Sequence, residues 1–325
     1  MVQALHAGVT FALVIPAYNR AHLIGETVES ALAQRTPFSE IIVVDDGSTD
    51  NTLEVLETYR DRITIIGTKN NGVQSARNTG IQAATSDYVT LCDSDDLLEP
   101  DFLDIFSAWL GAHPQCDVLY SNFVSFNHKT VFGDRFSASP AGLYDDVAFR
   151  DDVAMYIDGL VPRILKFQIL FVTGLTIKRE KFNEIGPYDV RFNRVGAEDF
   201  EFTLRAVVRA QVGFCRRPLA RVRRHDGNDS ADQVRHIDGE IQIMEYALEH
   251  HQGMLAYRAA FDAGMDDRCA YVFDAAFARG EFTLASRMLK KFRQQPQGRR
   301  FTIKKAILNM PSILRLVLWR LTQAK

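Results

Sequence analysis

Over the first two-thirds of the chain, short apolar runs alternate with stretches in which apolar residues return every three to four positions. Phe11-Ala12-Leu13-Val14-Ile15 is the first run and reads as a buried strand. Pro16-Ala17-Tyr18-Asn19-Arg20 is expected to end it, because proline has no N–H to give a sheet. Leu23, Ile24, Thr27, Val28, Ala31 and Leu32 then keep helical spacing, and Glu40-Ile41-Ile42-Val43-Val44 predicts a second strand. It stops at Asp45-Asp46-Gly47-Ser48-Thr49-Asp50, whose acids and hydroxyls also suit a helix start before Leu53. The same reading gives a strand over 63–66, a helix over 73–84, and a strand Tyr88-Val89-Thr90-Leu91 that runs into Cys92-Asp93-Ser94-Asp95-Asp96.

Beyond that cluster the pattern predicts a helix over 101–112 and a strand over 118–120. An aperiodic excursion over 127–146 reads as a surface loop or lid. The apolar run 170–177 reads as a strand, in which Gly174 leaves room for a backbone or ligand to come close. A helix opens at Glu198-Asp199, and strands follow near 212–214 and 219–222. From Val234 onward only helical spacing remains, with Gly280 as the turn of a helical hairpin. Strands separated by helices imply βαβ units, hence an α/β fold with a mixed, mainly parallel central sheet and an α-helical C-terminal region. The division expected is a sheet domain over 1–232 and a helical region over 233–325.

Composition alters this picture in one place. The 325 residues are 46% hydrophobic and 24% charged with a net charge of −3, which gives no reason to expect nucleic acid as a partner. From Phe282 to Lys325, however, there are eleven Lys and Arg and no Asp or Glu, leaving −14 on the rest. Two readings stay open for this tail: a helix docked on the core with its basic residues in water, or a basic amphipathic helix on an anionic membrane surface with Trp319 at the boundary. Cys92, Cys116, Cys215 and Cys269 lie far apart with no Cys-x-x-Cys pair, which fits reduced thiols rather than a zinc cluster or a disulfide scaffold. The first ten residues lack signal-peptide character and no run is long enough to span a bilayer, so the expected location is cytoplasmic, including the cytoplasmic face of the inner membrane.

Ligands of open α/β sheets bind beyond the carboxyl ends of the strands. Here those ends carry Tyr18, suited to stacking on a base; Asp46, suited to accepting from a base N–H; and Asp93 with Asp95, suited to a hard divalent cation. The carboxylate clusters also read as solvated turns and helix caps. Asp199, in the first turn of a helix, is favoured as a carboxylate by the helix dipole, the state a general base needs. No Gly-x-Gly-x-x-Gly follows the first strand and no Gly-x-x-x-x-Gly-Lys-Ser/Thr exists, so phosphates would be held by metal and side chains.

Taken together, Val14-Ile15-Pro16-Ala17-Tyr18-Asn19-Arg20, Val44-Asp45-Asp46-Gly47-Ser48-Thr49-Asp50, Ala76-Arg77-Asn78-Thr79-Gly80, Asp93-Ser94-Asp95, Gly186-Pro187-Tyr188-Asp189, Glu198-Asp199 and Arg223-Arg224-His225 resemble, in order and spacing, the family 2 glycosyltransferases of GT-A fold. The resemblance implies a nucleotide-sugar donor, usually UDP-linked. Ala17, Tyr18 and Asp46 would lie at the base, Arg77 at the base or diphosphate, and Pro16, Arg20 and Ser94 in the same donor loops. Asp93 would meet the ribose or metal and Asp95 the metal, Mn²⁺ or Mg²⁺, with His225 completing that site as a loop closes. Asp199 would be the base of an inverting displacement, and Gly174 and Glu198 would lie near the sugar or acceptor. The acceptor implied is a glycan or lipid-linked hydroxyl in surface-polysaccharide synthesis. Polymerising members carry Gln-x-x-Arg-Trp and membrane spans; this chain has neither, so one sugar per encounter is expected. Two other functions fit the same sheet: an inactive nucleotide-sugar-binding module and a sugar nucleotidyltransferase.

Overall fold

The computed structural model describes residues 8–225 and 232–323. In chain order the elements are β1 (Phe11–Ala17), α1 (Ile24–Leu32), β2 (Glu40–Asp45), α2 (Thr52–Glu57), β3 (Thr64–Gly67), α3 (Val73–Ala83), β4 (Tyr88–Leu91), β5 (Leu97–Leu98) and α4 (Phe102–Ala112). Then come β6 (Val118–Phe126), β7 (Val131–Asp134), β8 (Val153–Met155), α5 (Leu160–Lys166), β9 (Thr176–Lys178), α6 (Arg179–Ile185), α7 (Glu198–Arg209) and β10 (Val212–Arg223). Five helices close the chain: α8 (Gln233–His250), α9 (Arg258–Arg279), α10 (Phe282–Lys291), α11 (Arg299–Leu308) and α12 (Ser312–Gln323). The chain forms two compact units. One runs up to Arg194 and resumes at Asp199; the other comprises Val195–Glu198 and the helices from α8 onward.

The first unit is built on one mixed sheet in the order β3-β2-β1-β4-β9-β6-β10-β5, with β7 added to β6 and β8 to β10. The β3-β2-β1-β4 half is parallel throughout, as is β6 with β10, whereas β9 runs antiparallel to both β4 and β6. Leu13, Ile15 and Val43 are buried with Phe102, Leu103 and Phe106 of α4 in its main apolar cluster. Gly80 lets α3 press onto the sheet: a Cβ there would stand 2.3 Å from Val14 Cγ1.

Three predicted boundaries are corrected. β1 does not stop before Pro16 but continues to Ala17, pairing Pro16 with Val44. The Val14 carbonyl accepts from Cys92 N, and residues two apart face the same neighbour, so the missing N–H of Pro16 points past the end of β4, where no bond is lost. The run 170–177 is a strand only from Thr176; Leu170, Val172 and Leu175 are buried in a turn in which Leu175 N donates to Val172 O. Gly174 has φ +87°, and its absent Cβ would lie 2.9 Å from Ser121 Cβ, so the close approach it permits is that of the packed core. The two strands expected near 212 and 219 are one, β10, kept continuous by irregularities around Pro218. Within the aperiodic excursion, β7 folds back on β6.

The second unit has its own core, in which Val234 and Ile241 of α8, Cys269, Phe273 and Phe277 of α9 and Met288 of α10 are buried together. Gly280, at φ +76°, ends α9 in the left-handed conformation and turns the chain into α10, as its place in the sequence predicts. No helix among the described residues is long and apolar enough to cross a membrane.

Candidate active site

β1, β2 and β4 are parallel neighbours, so the loops that follow them open at one edge of the sheet. The first two loops are laced together. Asn19, at φ +51°, accepts on Oδ1 from Thr49 N at 2.8 Å, and its own N–H donates to Ser48 Oγ at 2.9 Å. Arg20 N donates to Thr52 Oγ1 at 2.7 Å, and Ala21 N to Asp50 Oδ2 at 3.2 Å. Pro16 and Ala17 are buried, and the Ala17 carbonyl accepts from Asp46 N at 2.8 Å. Tyr18, by contrast, is 42% exposed. Asp46 is buried, and its carboxylate holds the next loop by accepting from Thr68 Oγ1 at 3.1 Å, Asn71 N at 3.0 Å and Gly72 N at 2.7 Å. A carboxylate has about four lone-pair positions, so little accepting capacity is left for a base.

The acidic cluster is shaped by a strand pair far apart in sequence. β5 runs antiparallel to β10, Leu97 opposite Arg221, so the residues just before Leu97 lie beside those just after Val222. His225 Nε2 therefore stands 3.0 Å from Asp95 Oδ2, and Arg20 Nε lies 3.6 Å from the same oxygen. Asp93 faces the other way: its Oδ1 accepts from Arg77 Nη2 at 2.6 Å. Ser94 is buried and its carbonyl accepts from Thr27 Oγ1 at 3.0 Å. Asp96 lies beneath the surface, accepting from Thr173 Oγ1 at 2.6 Å and Arg223 N at 2.8 Å. Burial, with the charges of Asp95 and Asp93 beside it, pushes its carboxyl well above the usual carboxylate range.

Arg77 links this cluster to Asp199. The side chain is 4% exposed; Nη1 donates to Gln74 Oε1 at 2.9 Å, and Nε is buried without a hydrogen-bond partner. Burial alone would weaken its charge, but Asp93, the Tyr188 hydroxyl and Asp199 act on the guanidinium and hold its pKa above the ordinary arginine value. Asp199 also acts on the buried hydroxyls of Tyr120 and Tyr188, whose ionisation burial already opposes. Tyr188 is fixed from both sides. Its N–H and carbonyl exchange 2.8 Å bonds with the Asn78 side chain, and its ring stacks 4.3 Å from Phe202 of α7. Arg205, one turn beyond Glu201 on α7, pairs with that residue and donates to the carbonyls of Ile185, Gly186 and Pro187.

The structure thus gathers Arg20, Asp95 and His225 in one group and pairs Arg77 with Asp93 in an adjoining one, with Asp199 acting electrostatically on Arg77. Gly174 is accounted for by core packing, and Glu198 is buried at the start of α7. Residues 226–231, which follow His225, lie outside the described residues. Sequence reasoning missed Thr173 and Asn193 and gave Arg223 a place in a motif without its contacts. Thr173 and Arg223 clamp Asp96, and Arg223 Nε also donates to Asp95 O at 2.9 Å. Asn193 seats the start of α3, accepting from Gln74 N at 3.0 Å and donating to Asn71 O at 2.8 Å. Among the described residues no three His, Cys, Asp or Glu side chains converge as a metal cage. The Asp95 carboxylate and His225 imidazole form a two-donor set, which fits a divalent cation whose other ligands come from phosphate and water.

The profile of the family described as glycosyl transferase family 2 matches residues 12–162. Among curated proteins, the chain is 23% identical over 316 residues to the glycosyltransferase GlyA of Streptococcus pneumoniae, covering 91% of this chain and 43% of that protein. It is 41% identical over 97 residues to the chondroitin synthase of Escherichia coli, covering 29% of this chain and 14% of that enzyme. The chain therefore spans less than half the length of these relatives. Among solved structures, S. aureus TarS residues 1–349 in complex with UDP-GlcNAc superposes with a TM-score of 0.64 at 18% identity, over 97% of this chain and 90% of that one. The likeness establishes a common GT-A architecture.

Proposed function

We propose, for a chain that belongs to glycosyl transferase family 2, that it moves one sugar from a UDP-linked donor to a hydroxyl of a glycan or lipid-linked acceptor, with inversion at the anomeric carbon. The observation that carries this reading is the shared guanidinium of Arg77, which bonds to Asp93 behind β4 and lies in the field of Asp199 from α7. A candidate donor-binding acid and a candidate base thus act on one guanidinium although the chain separates them widely. Four buried free thiols fit a reducing, cytoplasmic compartment.

In this reading Tyr18 offers its exposed ring to the uracil, and the backbone around Ala17 and the laced loops frame the base. Arg77 supplies positive charge toward the diphosphate, and its unpartnered Nε is a donor in reserve. Asp93, already oriented by Arg77, meets the ribose. Asp95 and His225 would hold Mn²⁺ or Mg²⁺, which when bound supplies Lewis-acid charge neutralisation to the diphosphate. Asp199 takes the acceptor's O–H proton as that oxygen forms its bond to the anomeric carbon. The bond from that carbon to the phosphate oxygen breaks, and the nucleoside diphosphate leaves with the electron pair.

Thermal denaturation against a panel of nucleotide sugars tests the donor class. With Mn²⁺ present, a UDP-sugar at a hundred times its Kd is expected to stabilise the chain by about 2.7 kcal/mol. ADP- and GDP-sugars should do less, and chelation should remove most of the effect. A larger shift with a purine nucleotide sugar would overturn the uracil assignment.

A further inference from the structure

The twelve residues of α12, Ser-Ile-Leu-Arg-Leu-Val-Leu-Trp-Arg-Leu-Thr-Gln, use one side to hold the helix in place. Trp319 Nε1 donates to Phe277 O at 2.6 Å, and its ring stands edge-on to Phe282 at 5.8 Å. The Arg315 guanidinium lies 5.3 Å above the Phe282 ring. Leu318 packs against the same apolar cluster. At 3.6 residues per turn, positions 315, 318, 319 and 322 share that face. Trp319 is thus an anchor to the helical unit.

The opposite face is apolar too. Ile313 is 82% exposed, Leu321 65% and Val317 52%, with Leu314 and Leu316 exposed beside them and Arg320 in their midst. A surface helix ordinarily turns polar residues to water. The segment from Phe282 to Lys325 carries charge of one sign, with no Asp or Glu, and some of its cations, Lys304 on Asp274 among them, are paired with acids of earlier helices. Arg299 and Arg300 begin α11, where the positive end of the helix dipole disfavours them, and both are exposed. No ion pair among the described residues involves Arg299, Arg300 or Arg320.

We propose that α12 lies flat on an anionic lipid surface, with Ile313, Val317 and Leu321 inserted at the headgroup boundary and Arg299, Arg300 and Arg320 facing lipid phosphates. An apolar face flanked by cations is the chemistry that anionic bilayers take up, and a long arginine side chain keeps its charge at headgroup level. A second copy of the chain is a poorer occupant. A two-fold contact across this face would bring together two basic segments that hold no acid to pair with. The inference does not depend on the reaction proposed above.

Co-sedimentation of the full chain with vesicles of phosphatidylcholine, or of equal parts phosphatidylcholine and phosphatidylglycerol, tests it. Binding to the phosphatidylglycerol vesicles is expected, weakened at high salt. The variant Ile313→Ser/Val317→Ser/Leu321→Ser should lose about tenfold or more in affinity with an unchanged melting temperature, because these side chains stand clear of the Trp319 anchor. Arg299→Ala/Arg300→Ala/Arg320→Ala should lose the preference for phosphatidylglycerol. If the triple serine variant does not fold, Ile313→Ser alone should still weaken binding. Wild-type protein remaining in the supernatant would overturn the proposal, as would serine variants that pellet like wild type. So would a lipid-free dimer that those substitutions disperse.

Discussion

Asp199→Asn is expected to lower sugar transfer by about 10²- to 10⁴-fold, the usual contribution of a positioned general base. Donor affinity should stay near wild type. Asparagine preserves the shape of the side chain but cannot take the acceptor's proton. The donor loops are built from β1, β2 and β4, and Arg77 remains fixed by its 2.6 Å bond to Asp93. Transfer assays alongside donor-binding titrations separate the two effects. Substantial residual transfer would remove Asp199 from the base role. Donor binding with no transfer by the wild-type chain toward any acceptor would favour the inactive binding module.

The second large effect is expected from Arg205→Ala, which should destabilise the sheet unit by about 3–5 kcal/mol by removing the guanidinium that pairs with the buried Glu201 carboxylate. The Glu201 side chain is 2% exposed, and Arg205 meets it with bonds of 2.8 Å from Nε and 2.7 Å from Nη2. The same guanidinium satisfies three carbonyls of the 185–187 turn. That turn leads into Tyr188, against which Arg77 is packed at 5.7 Å, so catalytic activity should fall along with stability. Urea unfolding followed by circular dichroism gives the stability change. A loss within about 0.5 kcal/mol, the range of an ordinary surface substitution, would contradict it.

What the sequence made legible follows from where its signals are local. Apolar runs ending in Asp, Gly and Pro located β1, β2 and β4, and with them the loops that carry Tyr18, Asp46 and Asp93–Asp95. The acidic first turn of α7 exposed Asp199 in the same way. Long-range supports leave no such trace. Thr173 and Asn193 are ordinary residue types whose roles arise only on folding, and Arg223, legible as part of a motif, meets Asp95 and Asp96 only once β10 lies beside β5. The pairing of β5 with β10, through a two-residue strand, is what brings His225 to Asp95. Apolarity alone also misleads: most of 170–175 is buried in a turn beside β4, and periodicity cannot separate a buried turn from a buried strand. The missing donor of Pro16 does not end β1, because β4 ends beside it, a long-range fact that local sequence does not carry.

The motif residues of α3 show how closely chemistry and packing share a sequence here. Within one turn and a half, Arg77 reaches Asp93, Asn78 clasps Tyr188, and Gly80 admits Val14. A short polar motif that looks like part of a binding site is also the joint between sheet, acidic loop and α7. The 97-residue match to the chondroitin synthase covers only part of either chain, so its polymerising activity is not carried over with the similarity.

In the proposed reaction the strand-end cluster around Asp95 holds a nucleoside diphosphate together with a divalent cation. Isothermal titration of UDP into the full chain with Mn²⁺, repeated with Asp95→Asn, tests it most directly. One site per chain is expected in the wild type, with an affinity about tenfold or more weaker in the variant, a difference of roughly 1.4 kcal/mol or greater. Equal affinities in the two proteins, or no binding of UDP to the wild type, would contradict it.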